Sequence, residues 1–174
     1  KWHLGMYWTS SDGQEVHGPS GVNVDPSVPV AHGPLDLGFD YYFGISASLN
    51  MPPHAFIENR TFKGKVQFLN GSQAIKANGI SGKIGWWDPE YRQDSVISEF
   101  TKSAVAWMES LVKAPDASPF FLYMPLSAPH APIVPSGSFI DSSGLGMYGD
   151  YCLEELRIRP ERNMLEQLAI EPPG

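Results

Sequence analysis

The sequence predicts an α/β fold, and two adjoining segments carry that prediction. Over 94–113, Ile97, Phe100, Ala104, Val105, Met108 and Leu111 recur along one face at helical spacing. Directly after it comes Pro119-Phe120-Phe121-Leu122-Tyr123-Met124-Pro125, an almost unbroken apolar run between prolines. Such a run fits a strand covered on both faces, as in a parallel sheet flanked by helices. In open α/β sheets, chemistry gathers beyond the carboxyl ends of strands. That position holds Ser127-Ala128-Pro129-His130-Ala131-Pro132.

The remaining elements follow in order. Residues 1–56 read as loop with short extended pieces, punctuated by Gly18-Pro19, Pro26, Pro29, Gly33-Pro34, Gly38 and Pro52-Pro53. Phe39-Asp40-Tyr41-Tyr42-Phe43-Gly44 reads as a short buried strand or a packed aromatic turn. Residues 62–68 alternate weakly, like a partly exposed strand, and Asn70-Gly71 is a turn dipeptide. Asp94 is the predicted helix N-cap, Lys113 suits the C-terminal end, and Pro115 stops the helix. In 148–174, Leu153, Leu156, Met164, Leu165 and Leu168 have helix-like spacing that Pro160 interrupts.

Composition narrows the function. The 174 residues are 42% hydrophobic and 18% charged, which supports one packed domain rather than disorder. A formal charge of -7 disfavours a nucleic-acid partner, so any anion site must concentrate the few cations locally. Cys152 is the only cysteine, which excludes an internal disulfide and a Cys-rich zinc site. No apolar run is long enough to span a bilayer, so no membrane partner is expected. The chain starts at Lys1 without a methionine, and its natural N-terminus is expected upstream.

Two constellations could carry chemistry. In an extended Lys1-Trp2-His3, residues i and i+2 share a face, so Lys1 and His3 would project together with Trp2 packed behind. An ammonium beside an imidazole suits a tetrahedral anion, although spacing alone fits a solvated terminus better. His130, restrained between Pro129 and Pro132, is placed either for general acid–base work or to cap its loop. Ser48 and Asn50 could donate to an anion, though turn chemistry is the better reading of these residues alone. His17 reads as surface, while His32 and His54 could line a pocket or serve structure. Glu154-Glu155 reads as a solvated helix face. Asn59-Arg60-Thr61 and Asn70-Gly71-Ser72 match the glycosylation pattern.

Taken together, these segments resemble the sulfatase family of the alkaline-phosphatase-like superfamily. Lys1-Trp2-His3-Leu4-Gly5 is similar to the second sulfatase signature without its preceding glycine. His32-Gly33-Pro34 and Gly38-Phe39-Asp40-Tyr41-Tyr42-Phe43-Gly44-Ile45 are similar to the next block. Phe120–Tyr123 with Ala128-Pro129-His130-Ala131-Pro132 resembles the strand-plus-histidine block, and Gly146-Met147-Tyr148-Gly149-Asp150 the start of the following helix. The blocks run in family order over about residues 1–155, interrupted by a variable 59–92 segment, with a divergent tail over 156–174.

The resemblance implies part of a three-layer α/β sandwich with a mostly parallel central sheet, incomplete at both ends. It implies hydrolysis of a sulfate ester, with a sulfated small molecule or carbohydrate as partner and a periplasmic or secreted location, lysosomal in a eukaryote. Lys1 would bind a sulfate oxygen, and His3 would hydrogen-bond a formylglycine hydrate. Ser48 would lie near the sulfate, and His130 would protonate the leaving alcohol oxygen. Formylglycine and calcium are the implied cofactors. The Cys/Ser-x-Pro-x-Arg motif that yields the nucleophile is not in this sequence, and neither are the Asp-Asp and Asp-Asn pairs that ligate calcium. The 174 residues alone are therefore expected to be inactive. Two other readings of the parent stay open: a non-catalytic remnant of the fold, and a phosphodiesterase or phosphonate hydrolase of the same superfamily.

Overall fold

The structure is a computed structural model, and it describes residues 1–70, 72–73, 83–115 and 118–158. These residues belong to two compact units. The first comprises 1–93 together with 130–132, and the second 94–129 together with 133 onward.

The first unit is loop-rich, as its Gly and Pro content predicts, and is held by small antiparallel sheets. Strands β1 (Phe43–Gly44), β2 (Ile57–Glu58) and β3 (Thr61–Phe62) form one sheet in that order. The two-residue loop Asn59-Arg60 joins β2 to β3. Asn59 takes φ 55°, a left-handed conformation that asparagine tolerates better than most residues. Its side-chain oxygen accepts the Tyr42 amide at 3.2 Å. That bond gives the asparagine of this glycosylation pattern a structural role within the turn. Arg60 then grips Asp36 through both guanidinium nitrogens, at 2.7 and 2.8 Å.

Strands β4 (Gln67–Leu69) and β5 (Gly85–Trp87) pair antiparallel. The expected 62–68 strand is thus split between β3 and β4. A Cβ on Gly64 would collide with the Asp88 carboxylate, so the intervening chain must pass close at a glycine. The turn dipeptide Asn70-Gly71 directly follows β4. The partner strand begins only at Gly85, and Gly71 lies outside the described residues. The core of this unit contains Trp2, Val30, Ile45, Leu49, Ile57, Trp87 and Tyr91, all buried.

The second unit contains both long helices. Helix α1 runs over Val96–Val112, as the apolar spacing predicts, with Ile97, Phe100 and Met108 buried. Its N-cap is Ser95 rather than Asp94, which lies in a short 3₁₀ turn, Gln93–Ser95, that tightens the entry. Helix α2 spans Gly146–Ile158, the last of the described residues. The spacing at Met164, Leu165 and Leu168, and most of the 156–174 tail, lies outside the described residues.

The inward face of α2 is polar, which corrects the reading of Glu154 as solvated. Glu154 is 1% exposed and accepts the Ser136 amide at 2.9 Å. Asp150, fully buried, accepts the amides of Asp141 and Ser143 and the Ser143 hydroxyl at 2.7–2.9 Å. The Ser143 hydroxyl, then its amide, hold the Asp150 carboxyl below its usual range. The helix therefore pins the loops on its N-terminal side by buried hydrogen bonds.

The expected buried strand is the main correction. Residues 120–123 have no strand assignment, and Phe121 is 75% exposed. All named strands among the described residues pair antiparallel, so a mostly parallel central sheet is not seen in them. The physical reason is partnership. A central strand is buried only when neighbours bond both its edges, and no named strand here pairs with 120–123. Phe120 meets the edge of Trp107 on α1, with ring centroids 5.5 Å apart.

Candidate functional site

The first two residues are held beside the 45–48 segment by backbone bonds. Trp2 donates to the Ile45 carbonyl and His3 to the Ser46 carbonyl, each at 2.9 Å. The Trp2 indole is buried, its N–H donates to Gly5 at 2.7 Å, and its ring meets Phe39 edge-on. The aromatic residue at position 2 therefore fixes its neighbours, as the sequence pattern implies.

Lys1 Nζ donates to Ser48 Oγ at 3.4 Å. Ser48 is 4% exposed and sits in a turn closed by Met51 N–H donating to its carbonyl. Gln93 secures the turn from outside, its amide donating to the Leu49 carbonyl at 2.6 Å.

His3 departs from the expected geometry. Its φ is 58°, so residues 1–3 are not a simple extended segment and the i, i+2 alternation does not apply. Lys1 is half-buried, whereas the His3 side chain is exposed. A left-handed non-glycine residue stores about 1–2 kcal/mol and persists only where surrounding contacts fix it. The Ser46 bond is one such contact.

His130 belongs to the same compact unit as Lys1, His3 and Ser48, although the chain before 130 and after 132 belongs to the other. Its Nδ1 lies 2.5 Å from the Ala131 carbonyl. A carbonyl only accepts, so Nδ1 carries hydrogen. Nε2 is then the ring nitrogen left to face a ligand. Lys1 and Ser48 are in direct contact; His3 and His130 share their unit without a hydrogen bond to either.

The other histidines separate clearly. His17 is exposed, as expected. His32 is exposed at φ 53° and meets the Tyr7 ring edge-on. His54 is 1% exposed, with its ring centroid 3.9 Å from that of Trp87 and no partner for either ring nitrogen. Burial, then the nearby Lys83 charge, lowers it to about 4. It is a neutral core residue. Asn50 is half-buried and its side-chain oxygen has no partner.

No group of three or more His, Cys, Asp or Glu side chains converges among the described residues. These residues do not fit a calcium site, and no step is assigned to one. Cys152 is half-buried within α2. Sequence reading missed Gln93, which sets the Ser48 turn from 44 positions away and has no local signature.

No family model matches the chain. It is 28% identical over 188 aligned residues to an N-acetylgalactosamine-6-O-sulfatase of Bacteroides thetaiotaomicron, covering 88% of this chain and 33% of that protein. It also superposes on a solved Bacteroides thetaiotaomicron sulfatase of glycosaminoglycan metabolism with a TM-score of 0.68 at 23% identity, covering 97% of this chain and 38% of that one. The chain thus spans about a third of the length of the relative it matches, and it has the α/β fold of a sulfatase. The ordered motifs resemble those of sulfatases, and both likenesses are to sulfatases.

Proposed function

We propose that the protein carrying this chain hydrolyses sulfate esters of a sulfated carbohydrate. The observation that carries the proposal is the Lys1–Ser48 contact, which sets an ammonium on a buried hydroxyl in the unit that also holds His3 and His130. A cation and a hydroxyl donor can share the oxygens of one sulfate, and charge-assisted bonds of this type are the strong ones. Lys1 binds a sulfate oxygen and Ser48 supports it. His130, with Nδ1 held by Ala131, delivers a proton from Nε2 to the leaving alcohol oxygen. His3 steadies the attacking group. The sugar class comes from the relative, named for N-acetylgalactosamine 6-O-sulfate.

The formylglycine nucleophile and calcium belong to the same proposal, on residues other than these. A Lewis acid there would offset charge on the sulfate. Residues 120–123 would form a strand of the mostly parallel central sheet once neighbouring strands cover them. A sulfated polysaccharide substrate would be met outside the cytoplasm, which favours a periplasmic or secreted location.

The test is sulfate release by the full-length protein from 6-sulfated N-acetylgalactosamine, beside cleavage of a phosphate diester. Preference for the sulfate ester supports the proposal. Much faster diester cleavage would assign the protein to phosphodiesterases, and no turnover of either would leave a non-catalytic remnant.

A further inference from the structure

The first unit contains a second concave feature, a cavity of about 210 Å³ lined by Trp8, Phe62, Trp86, Pro52 and the Gly18–Gly21 turn. No charged side chain lines it. It is unsuited to a sulfate group and suited to something neutral.

Its aromatic walls are fixed in advance. Trp8 and Phe62 stack with centroids 5.5 Å apart and planes 15° from parallel. The Trp86 N–H donates to the Gly21 carbonyl at 2.8 Å, which orients the indole and leaves its carbon surface for contact. Phe68 braces the same ring edge-on at 5.6 Å. A binding surface whose side chains are already immobilised loses little entropy when it is occupied. The glycine turn keeps the mouth open: Gly18 and Gly21 have φ 56° and 59°, and a Cβ at Gly18 would meet nothing within 4 Å. Ser20, between them, supplies a hydroxyl that no side chain or backbone group among the described residues engages.

Flat aromatic surface, one free hydroxyl and no charge match a pyranose ring. The C–H groups of such a ring carry slight positive charge and settle on the negative face of an aromatic ring. Its hydroxyls need a donor or acceptor at the rim. The cavity is smaller than the roughly 300–1,000 Å³ of drug-sized sites and suits a single ring. A proline-rich peptide is the other ligand that aromatic clefts take, but it extends about 3.1 Å per residue and needs consecutive slots.

We propose that the Trp8–Phe62–Trp86 cleft is a subsite for an uncharged pyranose of the saccharide, separate from the sulfate-binding side chains. The saccharide class rests on the sulfatase reading; the neutrality and size of the ligand do not.

The experiment follows the indole N–H signals of the five tryptophans by NMR during titration with unsulfated N-acetylgalactosamine. The expected result is movement of the Trp8 and Trp86 signals, with Trp2, Trp87 and Trp107 still. Trp8→Ala should weaken binding at least tenfold. Ser20→Ala, which leaves the aromatic packing in place, should weaken it several-fold. Still signals at Trp8 and Trp86, full binding by both variants, or movement with a proline-rich peptide and not with the sugar would overturn the proposal. Sulfate-ester turnover by the full-length protein is read in parallel. Turnover without sugar binding rejects the subsite alone, whereas loss of both rejects the sulfatase reading as well.

Discussion

Lys1 Nζ meets Ser48 Oγ at 3.4 Å, joining residues 47 positions apart. The bond is long and therefore weak, so an anion can displace it. A sulfate oxygen can accept from Nζ and from the serine hydroxyl once their mutual bond is given up. Removing the ammonium should cost one charge-assisted bond, about 1.5–3 kcal/mol. Lys1→Met in the full-length protein should therefore lower kcat/KM for a sulfate ester by about 10- to 100-fold. Ser48→Ala removes a neutral donor, and the loss should stay below about tenfold. Steady-state kinetics on both variants check the order.

His130 should act on the leaving group. Its Nδ1–H is committed to Ala131, so Nε2 is the atom that exchanges the proton. His130→Ala should slow hydrolysis of a sugar sulfate by about 10²–10⁴. It should slow a nitrophenyl sulfate far less, because that leaving group departs without protonation. Equal losses on both substrates would assign His130 to sulfate binding instead.

His54 should make the first unit acid-labile. Its ring is buried on Trp87 and unpaired at both nitrogens, and its folded pKa of about 4 lies below the ordinary 6.5. The unfolded state thus binds the proton more readily. The neutral ring's contribution is fully present above about 6.5 and is lost as pH falls towards 4. The loss is on the order of 3 kcal/mol. Asp12, Asp25, Asp36 and Asp150 all have pKa values lowered from 3.8, so their own losses fall below this window. Urea unfolding at pH 7 and pH 4.5 should show a drop in wild type that His54→Phe largely abolishes.

Asn59 should tolerate glycine better than alanine. Alanine at φ 55° incurs about 1–2 kcal/mol and also gives up the Tyr42 bond. Glycine gives up only the bond, worth about 0.5–1.5 kcal/mol. Thermal unfolding of Asn59→Ala and Asn59→Gly should rank them in that order.

The legible parts of this fold are the ones whose cause is local. Helix α1 shows itself because its apolar residues repeat at the helix period. Its N-cap moved one residue because a 3₁₀ turn precedes it, a detail that periodicity does not encode. Phe120–Tyr123 has the composition of a central strand, but burial of a strand depends on neighbours that composition cannot supply. The candidate site divides the same way. Lys1, His3, Ser48 and His130 stood out as residue types within motifs. The left-handed turn at His3, the Gln93 brace and the burial of His54 on Trp87 arise from contacts distant in sequence.

The most direct measurement is release of inorganic sulfate from 6-sulfated N-acetylgalactosamine by the full-length protein and its Lys1→Met and His130→Ala variants. Sulfate-ester turnover by wild type that falls at least tenfold in each variant is the predicted result. Turnover unchanged by both substitutions would contradict the assignment of this chain's residues to the sulfate site.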